Sequence, residues 1–116
     1  MKIELTRFKV KKGKTKRVNQ WMKMLRSNMP AILRSLEDEK MYVETIFREF
    51  NGKNEYLYWY SIQGKGGVPI QKSRHAIDKK HLKFWKECIV PNSAKDMITE
   101  VVMIPKRIKR VMKSKK

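Results

Sequence analysis

Histidine, carboxylate and tyrosine side chains are the groups in this chain that could move a proton, and they fall into two sets. His75, Asp78 and His81 lie at i, i+3 and i+6. On one helix that spacing spreads them over about 120°, so all three can face one cleft. An imidazole titrates near neutrality and a neighbouring carboxylate fixes its tautomer, which suits general acid–base work. Asp78 has a competing use: as the cap of a helix beginning at Lys79, its carboxylate would be taken by the amides of Lys80 or His81.

Glu44 and Tyr58 form the second set. Both sit in aromatic, β-branched runs, where partial desolvation raises a carboxylate pKa and makes it a better base. A salt bridge from Glu44 to Arg48 or Arg7 is the structural alternative. Glu44, Tyr58, His75, Asp78 and His81 are therefore the candidate catalytic residues. A metal would need Glu44 to join both histidines from another element; neither a metal nor any other cofactor is expected. Cys88 is the only cysteine, which rules out an internal disulfide and points to a reducing compartment. It falls on an apolar helix face and reads as packing. Gly64-Lys65-Gly66-Gly67 lacks the phosphate-loop pattern and its strand-to-helix context, so it reads as a loop or lid.

The elements that must position these groups follow from periodicity. Lys2–Val10 alternates as a first strand, with Ile3 and Leu5 out of step with Phe8 and Val10, so a bulge is expected near Thr6-Arg7. Val18, Met22, Leu25, Met29, Ile32 and Leu36 form one helical stripe over about Thr15 to Glu39, with a kink or break at Asn28-Met29 ahead of Pro30. Two strands, Met41–Phe50 and Glu55–Ile62, flank Asn51-Gly52, a strong hairpin signal. Gln63–Ser73 is a loop, Lys79 to Ile89 a second helix with Leu82, Trp85, Cys88 and Ile89 inward, and Met97–Ile104 a fourth strand.

The expected fold class is α+β, a ferredoxin-like β-α-β-β-α-β chain whose four-stranded antiparallel sheet carries two helices on one face. Residues 1–105 make that domain and 106–116 a basic C-terminal tail, dispensable for folding. The helix-facing set is expected to be Val43, Thr45 and Phe47 with Leu57 and Trp59. That leaves Tyr42, Glu44, Ile46 and Arg48 with Tyr56, Tyr58 and Tyr60 on the other face. Rings of that size on an uncovered face suggest a cover, and a second copy of the sheet is the simplest one, so a homodimer is expected.

The chain carries 29 Lys and Arg against 11 Asp and Glu, a net charge of +18. Residues 1–17 and 105–116 each hold +7 of it. Basic termini attract polyanions non-specifically, so an RNA- or DNA-binding module is the alternative to a small-molecule cleft. The third strand lacks the glycine of RNA-recognition modules, which counts against that alternative. No apolar stretch reaches membrane-span length and the N-terminus has no apolar leader, so a cytoplasmic protein without membrane attachment is expected.

Glu44-Thr45-Ile46-Phe47, Tyr56-Leu57-Tyr58-Trp59-Tyr60 and His75-Ala76-Ile77-Asp78-Lys79-Lys80-His81, with Trp85 nearby, resemble a family of small uncharacterised bacterial proteins. The resemblance covers roughly residues 2–104. That family is similar to the dimeric α/β-barrel superfamily, which implies a homodimer with a cleft between sheet and helices. The superfamily includes cofactor-independent monooxygenases and haem-degrading enzymes. The haem-degrading branch would want an Asn on the first strand, a Trp late on the third and a His on the second helix. Trp59 and His81 fill two of these roles, but Arg7 stands where no Asn is available. No reaction is implied, and whether the chain is an enzyme is left open.

Overall fold

A computed structural model describes residues 1–113. It contains β1 (Lys2–Lys9), α1 (Thr15–Ser27), α2 (Met29–Asp38), β2 (Met41–Asn51), β3 (Asn54–Gln63), α3 (Ala76–Cys88), β4 (Lys95–Asp96) and α4 (Lys106–Met112), with a single helical turn at Ile70–Lys72. The four strands form one antiparallel sheet in the order β2-β3-β1-β4. Four helices replace the two expected. The first expected helix is split at Asn28 (φ −120°), whose amide side chain donates to Met24 O at 2.7 Å, while Pro30 opens α2. Proline has no N–H to give and suits a first turn, which explains the position of the break.

The hairpin decides which side chains meet. Asn51 pairs with Asn54 across Gly52-Lys53, with Gly52 at φ +61°, the left-handed conformation such a turn requires. A two-residue loop pairs even-numbered β2 residues with odd-numbered β3 residues: Glu44 with Ser61, Ile46 with Trp59, Arg48 with Leu57. The expected sorting of β2 is therefore inverted, because a one-residue change of register flips every side chain. Glu44, Ile46 and Arg48 share the helix side with Leu57 and Trp59. Thr45 and Phe47 share the open side with Tyr58 and Tyr60. Tyr42 sits at a bulge and lays its ring against Gly64.

β1 pairs with β3 without interruption from Lys2–Gln63 to Lys9–Tyr56, so no bulge occurs at Thr6-Arg7. The slip in its alternation is a change of face. Phe8 and Val10 pack on the helix side, whereas Ile3 and Leu5 lie on the other beside Tyr60 and residues 97–104. The fourth strand lies ahead of the expected Met97–Ile104: it is Lys95–Asp96, and only these two residues pair with β1. Beyond it, Met97 N donates to Leu5 O at 2.8 Å and Thr99 Oγ1 to Ile3 O at 3.1 Å, and the rest of Met97–Ile104 finds no strand to pair with. Ile98 and Met103 are more than four-fifths exposed.

The core lies between the helix side of the sheet and α1 and α3. Val10, Val18, Leu57, Cys88 and Ile89 surround Trp21, which is fully buried and parallel to Phe84 at a centroid distance of 6.3 Å. Trp21, Met24 and Phe84 thus lie deeper than the expected stripe. Met22, Leu25, Ile32 and Leu36 are only half-buried, and Met29 is exposed. Burial of Cys88 pushes its thiol up, away from nucleophilic behaviour. An ion pair between the buried Glu55 and the half-buried Arg48 ties α1 to the hairpin: Arg48 reaches Glu55 at 2.6 Å and Thr15 O at 3.0 Å, while Thr15 Oγ1 donates to Glu55 at 2.6 Å. Arg48 is thus committed to Glu55, and Arg7 lies over the Tyr56 ring; neither is paired with Glu44.

Candidate functional site

A cleft of about 570 Å³ opens between the sheet and α3. Glu4, Thr6 and Phe8 reach it from β1, Glu44 from β2, Trp59 and Ser61 from β3, and His81 and Trp85 from α3. Alternation on the strands and the i, i+4 spacing of His81 and Trp85 place these groups on facing surfaces. Phe8, Trp59 and Trp85 stand at steep angles to one another, 66–88°, with centroids 4.4–6.2 Å apart.

Glu39 closes one end of the cleft. It caps α2, and Lys40 follows it in the left-handed conformation (φ 55°). The loop after β3 is fastened to this turn: Gly64 N donates to Lys40 O at 2.7 Å, Val68 N to Asp38 O at 2.9 Å, and Gln63 Nε2 to Glu39 O at 3.0 Å. A Cβ at Gly67 would overlap the Glu39 carbonyl, so glycine is needed there for the loop to approach. Residues 64–68 therefore hold Glu39 in place, a role closer to a clasp than to a free loop.

The electrostatics are unusual for a basic protein. Burial, with Glu44 and Asp78 nearby, pushes the Glu39 carboxyl up to about 7. Burial also raises Glu44, against the pull of the Trp59 indole beside it. Ser35 Oγ lies between Glu39, at 3.3 Å, and Asp78, which it touches closely. A serine hydroxyl has one proton to give. Both contacts are satisfied when Glu39 is protonated and donates to Ser35, which donates to Asp78.

His81 is pushed down to about 4 by burial and is neutral at physiological pH. Its Nδ1 accepts from Trp21 Nε1 at 2.9 Å. The proton of the neutral ring therefore sits on Nε2, and His81 offers the site a hydrogen-bond donor rather than a base.

The structure brings Glu44, Asp78 and His81 together, and separates Tyr58 and His75 from them. Tyr58 lies on the open side of the sheet and donates to Glu49 at 2.7 Å, a contact that raises its pKa. His75 is the residue preceding α3 and pairs with Asp38 at 2.5 Å in a neighbouring depression. Asp78 is not the helix cap: α3 begins at Ala76, three residues earlier than expected, and the Asp78 carboxylate turns inward to Ser35. Among the described residues, no three His, Cys, Asp or Glu side chains are grouped to hold a metal ion.

Sequence reasoning passed over Glu39, Ser35 and the indole of Trp21. One signal was visible: Glu37-Asp38-Glu39 is the only run of consecutive acids in a chain with 29 cations, and it ends an amphipathic helix.

Fold and site together define an α+β protein with an aromatic cleft lined by carboxyl groups. The chain belongs to a family of unknown function (DUF6176), which matches residues 1–110. No curated protein and no solved structure matches it. No helix among the described residues is long and apolar enough to cross a membrane.

Proposed function

We propose that the chain binds a small molecule in this cleft and moves a proton on it. The observation that carries the reading is the convergence of Glu39, Glu44 and His81 on one aromatic-walled cavity, with the Glu39 carboxyl held near 7. A carboxyl with that affinity for its proton can both accept and return one at neutral pH. The neutral His81 ring would hydrogen-bond a substrate oxygen through Nε2–H without adding charge. Ser35 and Asp78 would hold Glu39 in position. Glu44, beneath Trp59, is the second acid–base group.

A nitrobenzisoxazole tests the base directly. A carboxylate takes its ring C–H proton, the N–O bond breaks, and a cyanophenolate is released with a visible absorbance. The protein should accelerate this opening, with a rate that rises through pH 7 as Glu39 ionises. Glu39→Gln should reduce the rate at least tenfold with the fold intact by circular dichroism. A rate that does not respond to this substitution would remove Glu39 from the role.

The same reading places the chain with the dimeric α/β barrels, as a ferredoxin-like subunit paired through the open side of its sheet. The order β2-β3-β1-β4 supports it, as do Ile3, Leu5, Phe47, Tyr58 and Tyr60 on a side that no helix covers among the described residues. Beside that edge Ile98, Val101, Val102 and Met103 add exposed apolar side chains in a segment that pairs with no strand of its own chain among the described residues, of the kind that pairs with a second chain.

A further inference from the structure

The cleft has a second lobe. A cavity of about 290 Å³ shares Glu39, Glu44, Trp59 and His81 with the first and continues between α1, α2 and β2. Its walls are apolar, built by Met22, Leu25, Ile32, Leu36 and Ile46. Met22, Leu25, Ile32 and Leu36 are the half-buried members of the helical stripe, and Ile46 joins them from β2. The two lobes together make one elongated site with its carboxyl groups at the waist.

Charge separates the lobes from the rest of the molecule. Among the described residues, no lysine or arginine lines the first lobe, although the chain has 29 of them. The charged and titratable groups that face the site among the described residues are Glu4 from β1, Glu39 from the end of α2, Glu44 from β2, Asp78 and His81 from α3, and Arg26 from α1, which lines the apolar lobe. Glu4 has Lys2 at 3.5 Å. Among the described residues, Glu39, Glu44 and Asp78 have no Lys or Arg within ion-pair distance, whereas the other buried acid, Glu55, has Arg48. A carboxylate is buried without a cation only at a cost, and an anionic ligand would raise it. Aromatic rings beside carboxylates are the surroundings that favour an organic ammonium ion.

We propose that the ligand is an amphipathic amine. Its ammonium group sits between Glu44 and Glu39 against Trp59 and Trp85, and its apolar substituent fills the lobe built by Met22, Leu25 and Leu36. The ligand supplies the counter-charge that the fold leaves out. Burial pushes the Glu39 carboxyl up to about 7 and raises Glu44 as well, so binding the cation favours their ionised forms. The proposal rests on the reading of this cleft as the ligand site and adds the chemical class of the ligand.

Alkyltrimethylammonium ions with butyl to octyl chains are the probe, because their charge does not titrate. Alkanols and alkylsulfonates of the same lengths are the controls. Binding is followed by the indole N–H resonances of Trp59 and Trp85 and by calorimetry. The ammonium series should bind, tightening about fourfold per methylene, and should weaken several-fold as pH falls from 8 to about 6. Glu44→Gln should cost at least tenfold, and Glu4→Gln, on a more exposed residue, provides a second variant with a smaller loss. Alkanols that bind as tightly as the ammonium ions would overturn the assignment of charge and leave the cleft as a ligand site. Sulfonates that bind best would do the same. If no series moves either indole, the cleft reading falls with it. Affinity indifferent to both pH and Glu44→Gln would also overturn the proposal.

Discussion

The two sides of the sheet carry side chains opposite to their exposure. The side sheltered by α1 and α3 holds Glu4, Glu44, Arg48, Glu55 and Ser61 among its aromatic and aliphatic residues. The open side holds Ile3, Leu5, Phe47 and three tyrosines. On the open side Ile3, Leu5 and the tyrosines are half-buried and Phe47 is exposed, while the acids on the other side lose part of their hydration, and both arrangements oppose stability. The sheltered acids surround a cavity, and the half-buried rings form the surface on which the proposed dimer would pair. The net charge obscures this: the cations lie mostly outside, and four of the eleven acids gather at the cleft.

The largest expected difference between the sides is in unfolding energy. Leu57 is fully buried, and Leu57→Ala should cost about 2–5 kcal/mol in urea unfolding through lost contacts and a cavity. Phe47, 56% exposed, should change the stability of a monomer by less than about 0.5 kcal/mol when replaced by alanine. Sedimentation equilibrium at micromolar concentration should report a dimer for the wild type and a shift toward monomer for Phe47→Lys. A wild-type monomer at that concentration would break the comparison on its open side.

Removing the buried member of the Arg48–Glu55 pair comes next. Glu55→Ala leaves Arg48 with no acid on the helix side and strips Thr15 of its acceptor, for an expected loss of about 2–3 kcal/mol. The exposed Lys2–Glu4 pair should contribute under about 1 kcal/mol, measured by Lys2→Met.

The pH dependence is subtler, because the sheltered groups oppose each other. Glu39 holds its proton more tightly folded, near 7, than unfolded, near 4.5. Its contribution is whole below about 4.5 and is lost as pH rises to 7. His81 is depressed from 6.5 to about 4, so its contribution is whole above about 6.5 and is lost as pH falls toward 4. Between 4.5 and 6.5 the two slopes have opposite signs and largely cancel. Unfolding energies measured across that window should therefore be nearly level in the wild type. Glu39→Gln should reveal a rise with pH, and His81→Asn a fall, each on the order of 1–2 kcal/mol. Equal slopes in both variants would mean that neither group titrates as its burial implies.

The smallest effect is expected at the C-terminus. Ile108 and Val111 of α4 are exposed, so deleting residues 106–116 should move the melting temperature by only a few degrees and leave the assembly state unchanged. Dissociation on truncation would make α4 part of the open-side interface.

Local chemistry was sufficient for several features. Asn51-Gly52 called for the hairpin, Pro30 for the break at Asn28, and a single cysteine on an apolar helix face for packing. Those signals act over a few residues, through allowed backbone angles and a missing N–H. Glu44 and His81 could be named as candidates because their side chains are unusual in such surroundings. The side of the sheet each faces was a tertiary matter. It depended on the two-residue loop of the hairpin, and a change of one residue reverses every side chain of β2. Glu39 became the poised carboxyl only when the fold placed it against Ser35, Glu44 and Asp78 and closed Gly67 over it. Desolvation and the mutual repulsion of acids arise from packing between distant segments, and no spacing along the chain encodes them.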